Sequence, residues 1–196
     1  MRKGAVPRLF VIGRLLLAVA GCVRPAPTRE FTVDELLIDQ SAFPVGWYAS
    51  APPGPVRIVD GAIIADRSIE VTFRVDDPDW HTAALEIYRF SSEYRATREY
   101  RRQLSVLFNS QSIAALTPWE TPAELSYESP VANQSNFACG RNGITGKRGC
   151  RFLGQYDEYL VVFGSVVGAR MDFVDLEHIL QAIDERLAHY LTEDIG

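Results

Sequence analysis

The chain contains few of the residues from which catalytic and metal centres are usually built. It has no G-x-S-x-G nucleophile elbow, and its histidines are scattered, at His81, His178 and His189. The stretch from Gly140 to Gly146 suggests a phosphate-binding loop, but five residues separate these glycines where four are required. Arg148 also stands where a Ser or Thr should bind the metal. These absences predict a protein that is not an enzyme and has no cofactor.

Long apolar runs and an excess of positive charge are also missing. The apolar run near the N-terminus, Leu15 to Ala20, is far shorter than the roughly 20 residues that a transmembrane helix needs. Residues 22–196 hold 16 of the 20 Lys and Arg but all 25 Asp and Glu, which gives a net charge of −9. This acidic balance excludes nucleic acid as an expected partner and disfavours direct adhesion to anionic membranes.

What the N-terminus does contain is a basic start, a short apolar run and small residues before a cysteine. The stretch Val19-Ala20-Gly21-Cys22 resembles the lipobox that ends the export signal of bacterial lipoproteins. The resemblance implies cleavage before Cys22, lipid on that residue, and a location on the extracytoplasmic face of the cell membrane. Two acyl chains would hold the protein there stably. A signal peptide cleaved elsewhere is the alternative that the short apolar run leaves open.

This interpretation divides the chain into three parts. Residues 1–21 are predicted to be a lipoprotein signal peptide, 22–30 a lipidated tether, and 31–196 a single domain. Two cysteines remain in the domain, Cys139 and Cys150, with ten residues between them around a glycine-rich turn. In an oxidising compartment they most simply form a disulfide. A redox site would favour C-x-x-C spacing, and a zinc site would need further ligands nearby.

Hydrophobic patterning predicts helices and hairpin strands in the order α-ββ(β)-α-βββ-α. Thr32 and Glu35 match a capping box, and apolar residues alternate along 69–75 as in a strand. The predicted elements are a short helix at 32–38, strands at 62–65, 69–75 and 84–90, a helix from Ser91 or Ser92 to Phe108, a strand at 125–127, strands at 137–139, 150–156 and 159–167, and a final helix capped by Asp172. This order predicts an α+β fold, an antiparallel sheet with two longer helices packed on one face.

Four basic residues crowd one predicted hairpin of this acidic chain, namely Arg141, Lys147, Arg148 and Arg151. Nearby glycines leave backbone amides available, so the hairpin is a candidate anion-binding site. The alternative is a solvated hairpin tip.

The three tryptophans offer either a stacking surface or plugs for the core, and they are Trp47, Trp80 and Trp119.

Two clusters of possible metal ligands occur in the sequence, but no metal is predicted at either. Asp76, Asp77 and Asp79 are too few for calcium and fit ordinary turn chemistry. His178, Glu185 and His189 lie on the last helix, on the flank expected to face water, and the last two are four residues apart, at a spacing that can hold a metal.

Together with the element order, the segments LLIDQSAFPVGW and LEHILQAIDERLAHYL are similar to small bacterial lipoproteins and sensor ectodomains. The groups that the chain resembles are the extracellular domain of mycobacterial serine/threonine kinases and lipoproteins with a PsbP-like fold. The resemblance implies a non-catalytic, lipid-anchored binding or sensory module for a small molecule or protein of unknown identity. An assembly lipoprotein that holds a protein partner at the membrane is the alternative, and a hydrolase is a third. A deep pocket lined by aromatic residues or arginines would favour ligand binding.

Overall fold

The structure, a computed structural model, describes residues 24–56, 63–78, 81–109, 116–143 and 145–193. The predicted signal peptide, Cys22, Asp79 and Trp80 lie outside these residues, so the predictions for them stay predictions. Within the part that is described, no helix combines the length and the apolar character that crossing a membrane requires.

In the described residues, seven strands form one antiparallel sheet, in the order β1-β2-β3-β7-β6-β5-β4. The strands are β1 (Trp47–Ala49), β2 (Arg67–Val75), β3 (Thr82–Arg89), β4 (Leu116–Glu120), β5 (Gln134–Asn142), β6 (Arg148–Tyr156) and β7 (Tyr159–Val167). The β2–β3 hairpin joins the β5-β6-β7 meander where β3 pairs with β7. The predicted α+β class with an antiparallel sheet is confirmed.

Two long helices accompany the sheet, α1 (Glu93–Leu107) and α2 (Phe173–Glu193), and both begin at the predicted caps. The Ser92 hydroxyl accepts a hydrogen bond from the Arg95 amide at 3.3 Å, and the Asp172 carboxylate accepts one from the Val174 amide at 2.8 Å. The first predicted helix is two short 3₁₀ turns, Val33–Leu36 and Gln40–Ala42. The predicted capping box holds the first of these turns, since Glu35 accepts from the Thr32 amide at 2.8 Å.

The two long helices lie on opposite faces of the sheet, which corrects the prediction that they share one face. Helix α2 packs on the face that contains Phe152, Val161 and Phe163, whereas α1 packs on the face that contains Leu153 and Leu160. Successive side chains of a strand point to opposite faces, so β6 and β7, which are apolar at nearly every position, present an apolar surface on both. A sheet that is apolar on both faces needs a helix on each.

The α2 face holds the larger core, and the Phe43–Trp47 segment docks there. Trp47 is 1% exposed, and its indole N–H donates to the Arg170 carbonyl at 2.9 Å. Gly46 turns the chain into β1 with a φ of 94°, a conformation that favours glycine. Trp47 is therefore a core plug and not part of a stacking surface.

Two predicted strands are wrong, and two strands were missed. Residues 63–65 and 125–127 lie in no strand, although Leu125 is buried. The missed strands are β1 and β4, which form the two edges of the sheet, and β4 contains Pro118. A proline is tolerated there because an edge strand has no second neighbour to receive an amide proton.

The predicted disulfide is present. Cys139 and Cys150 face each other across β5 and β6, with their Cα atoms 4.0 Å apart. A bond of this kind is typical of proteins that fold in an oxidising compartment.

Candidate ligand-binding cavity

A cavity of about 560 Å³ lies on the α1 face of the sheet, a volume typical of small-molecule sites. Its floor is formed by β2, β3, β6 and β7, and residues from the last turns of α1 line it together with Trp119 of β4. Helix α1 is oriented by Ala96, Tyr100 and Gln103, which are buried, whereas Tyr94 is 62% exposed.

The cavity exists because small residues occupy its floor. Gly164 of β7 pairs with Ala84 of β3 on one side and with Arg151 of β6 on the other, and all three line the cavity. A Cβ atom added at Gly164 would meet nothing nearer than the Arg151 Cγ at 3.8 Å. The space above Gly164 is therefore open. Apolar side chains form the walls, namely Val56, Ile63, Val106, Leu107, Val162 and Val166.

One side of the cavity is acidic. Glu70 and Glu86 are direct partners across β2 and β3, and both line the cavity. The Tyr88 hydroxyl donates to the Glu86 carboxylate at 2.5 Å. Burial raises the pKa of Glu86, and the nearby charge of Glu70 raises it further. Burial and the charge of Glu86 likewise raise the pKa of Tyr88.

The raised pKa of Glu86 predicts a pH-dependent stability. Because the folded chain binds this proton more tightly than the unfolded chain, the stabilisation is complete below the ordinary pKa of 4.5 and is lost as pH rises through the folded value. We expect Glu86→Gln to match the parent near pH 4 and to exceed it in free energy of unfolding at pH 7, measured by urea denaturation. Glu93→Gln, at an exposed position of α1, is the control. Parallel pH profiles for Glu86→Gln and the parent would contradict the prediction.

The other side of the cavity carries a cation and an indole. The Arg151 guanidinium lies 5.3 Å from the centroid of the Trp119 ring and donates to the Leu107 carbonyl at 3.1 Å. Burial lowers the pKa of Arg151, and the charge of Glu86 opposes this effect. The indole N–H of Trp119 is buried and finds no hydrogen-bond partner among the residues that the structure describes.

The four basic residues of the predicted anion site do not converge. Lys147 and Arg151 line the cavity, but Arg148 points to the α2 side, where it pairs with Glu124 at 3.0 Å and lies over Phe173. Arg141 donates to the Gly146 carbonyl within the hairpin turn. The hairpin thus contributes two of its four basic side chains to the cavity.

Sequence reasoning missed the acidic side of the cavity, which consists of Glu70, Glu86 and Tyr88. The alternation along β2 did place Glu70 and Thr72 on the face opposite Val71 and Phe73. The alternation does not show what covers this face, and part of it lines the cavity beside α1.

Members of the two clusters of possible metal ligands, Asp77 and His189, contact other side chains in the structure. The Asp77 carboxylate lies 2.6 Å from His81 Nδ1, and His189 contacts Tyr190 with ring centroids 5.0 Å apart. No group of three or more His, Cys, Asp or Glu side chains suited to a metal ion is found in the described ranges.

Comparisons with known proteins reveal similarity of fold without similarity of sequence. No protein-family model matches the chain, and no curated protein matches it. Its fold is similar to the crystal structure of the extracellular domain of PknH from Mycobacterium tuberculosis, with a TM-score of 0.58 and 9% identity. The match covers 85% of this chain and 99% of that domain. The resemblance to kinase ectodomains is thus supported at the level of the fold, while the PsbP-like and lipobox resemblances stay predictions.

Proposed function

We propose that the protein is a non-catalytic, extracytoplasmic binding or sensory module that is tethered to the membrane by lipid on Cys22 and binds a small molecule in the cavity beside α1. The cavity carries this proposal, because it combines apolar walls with a few buried polar groups of both charges. The fold shared with an extracellular domain and the Cys139–Cys150 disulfide support the extracytoplasmic location.

Burying charged groups at the wall of a cavity costs free energy that packing alone does not require. Arg151, Glu86 and Tyr88 are partly or fully removed from water there, and apolar residues in their place would have cost less to bury. A surface that only holds a protein partner is usually a flat apolar patch. The concave, charged geometry therefore favours a small molecule over the assembly role.

Native mass spectrometry of the protein taken from its own membrane tests the proposal. We expect a small molecule bound at one equivalent and a lipid mass on Cys22. In Gly164→Val, a β-branched side chain compatible with the strand fills the cavity floor, so ligand occupancy should fall about tenfold or more while the fold and the lipid remain. Equal occupancy in Gly164→Val and the parent would contradict the proposal, as would a stoichiometric protein in place of a small molecule.

Two variants control this experiment. Gly54→Val adds the same side chain at a glycine that has nothing within 4 Å and does not line the cavity, so it should keep the ligand. Cys22→Ser should lose the lipid and keep the ligand. Thermal unfolding of each variant verifies that the domain is folded.

One observation favours a second candidate function, acid–base hydrolysis in the same cavity. Glu70 and Glu86 are neighbouring carboxyl groups, and the raised pKa of Glu86 is a property that general acids share. Prolonged incubation of the purified complex distinguishes the two functions. A binding module returns its ligand with unchanged mass, whereas a hydrolase returns products, and Glu86→Gln would stop their formation.

A further inference from the structure

We infer that the cavity binds an amphipathic carboxylate, with the head group held between the Arg151 guanidinium and the indole N–H of Trp119 and the apolar chain along the wall formed by α1. This inference rests on the proposed function and names the class of ligand. It follows from two neighbouring donors, Arg151 and Trp119, from their few hydrogen-bond partners among the described residues, and from the apolar wall of the same cavity.

The indole of Trp119 is the first observation. Its N–H is buried and has no acceptor in the described part of the chain, while almost all buried donors in proteins are paired. Trp119 is held in place from behind, because β4 crosses Gly140 so closely that a Cβ there would lie 3.2 Å from the Pro118 carbonyl oxygen and 3.5 Å from the Trp119 ring. The ring also contacts Phe108 edge to face. An indole fixed in this way cannot readily turn to find another acceptor among the described residues, and a ligand in the cavity supplies one.

Arg151 is the second observation. Its guanidinium lies against the Trp119 ring and makes one hydrogen bond, to the Leu107 carbonyl, with no ion pair to any carboxylate of the described residues. A guanidinium has five N–H donors in a planar fork that matches a carboxylate. Several of these donors remain for a ligand. Lys147 lines the same cavity and adds positive charge.

The acidic side of the cavity does not neutralise the charge of Arg151. Glu86 interacts with Arg151 only through space, and its carboxylate already accepts a hydrogen bond from Tyr88. Burial shifts Glu86 towards its neutral form, which weakens its repulsion of an anion. Glu70, on the neighbouring strand, is the remaining negative group of the lining. A single carboxylate is therefore better tolerated than a doubly charged phosphate.

The apolar walls of the cavity indicate that the rest of the ligand is apolar. Val106 and Leu107 of α1 stand above Val162 and Val166 of β7, and Leu107 also supplies the carbonyl that holds Arg151. An alkyl chain placed between these residues is removed from water, which favours binding. The cavity thus offers donors for the head group and apolar side chains for the chain.

Three probes with one alkyl chain and different head groups test the inference by calorimetry at pH 7, namely decanoate, decanol and decylamine. We expect decanoate to bind the intact protein most tightly. Arg151→Gln should weaken decanoate binding about tenfold or more. Trp119→Phe, which removes the N–H together with the five-membered ring of the indole, should weaken decanoate binding about fivefold and decanol binding by less. Arg148→Gln, on the same strand but the opposite face, is the matched control and should leave decanoate binding unchanged.

The outcomes separate the ligand class from the proposed function. If decylamine binds best, the Glu70–Glu86 pair is the recognition element and the carboxylate inference is wrong, although the cavity still binds a ligand. If no probe binds but Gly164→Val still loses the native molecule, the inference fails and the proposed function stands. If Gly164→Val retains that molecule, both fail.

Discussion

Replacing Arg29 with alanine should lower the free energy of unfolding by about 3 kcal/mol or more. Arg29 lies in the segment that the sequence assigned to the tether, yet its side chain is 5% exposed and meets Glu158, which is 1% exposed. Two hydrogen bonds of 3.0 Å join the guanidinium to the two carboxylate oxygens. The hydrogen bond with Glu158 raises the pKa of Arg29, whereas burial lowers it. Without Arg29, the buried carboxylate of Glu158 keeps, among the described residues, the Arg89 contact at 3.5 Å.

Urea denaturation of Arg29→Ala and of Asp66→Ala measures this effect against a matched ion pair. Asp66 pairs with Arg95 at the surface, where both side chains are nearly half exposed, so its loss should cost less than about 1 kcal/mol. Arg29→Lys keeps the charge but loses the two parallel hydrogen bonds, and we expect an intermediate loss. Equal, small losses in Arg29→Ala and Asp66→Ala would show that residues 24–30 are a free tether.

Replacing Asp184 with alanine should cost about 3–5 kcal/mol, because three hydroxyl donors would lose their acceptor together. Asp184 lies on the buried stripe of α2 and is 3% exposed. Its carboxylate accepts hydrogen bonds from Tyr127 and Tyr156 at 2.5 Å and from Ser129 at 2.7 Å. This network ties α2 to β6 and to the loop that precedes β5.

Glu185→Ala is the control for Asp184→Ala, since Glu185 is the next residue of the same helix and is exposed. It should change the free energy of unfolding by about 0.5 kcal/mol or less. Asp184→Asn keeps an acceptor oxygen and should retain part of the stability. Denaturation at pH 7 measures all three variants. A loss of less than about 1 kcal/mol in Asp184→Ala would mean that the hydroxyl groups find other partners on their own.

Local patterns predicted much of the fold. The caps at Ser92 and Asp172, the alternation along β2 and the apolar run of β7 are short-range signals, and each marks an element that the structure contains. The alternation did not reveal that both faces of β6 and β7 are covered, because side-chain periodicity shows which residues share a face and not what packs against it. The placement of α1 opposite α2 was missed for that reason.

The candidate site was harder to predict, because it is assembled from distant parts of the chain. Arg151 was singled out by the charge of its hairpin, but its neighbours in the cavity come from β2, β3, α1 and β4. The burial of Asp184 could have been predicted from the sequence. It lies three residues before Leu187 and four after Leu180, a spacing that places it on the apolar stripe of α2. A carboxylate in that position must meet donors from another element.

The central claim is that the cavity beside α1 binds a small molecule. A crystal structure of the protein purified from its own membrane tests it most directly. We predict ligand density that extends from Arg151 along Val106 and Leu107, with an acceptor atom within hydrogen-bonding distance of the Trp119 indole N–H. A structure in which α1 lies closer to the sheet and its own side chains fill this space would contradict the claim.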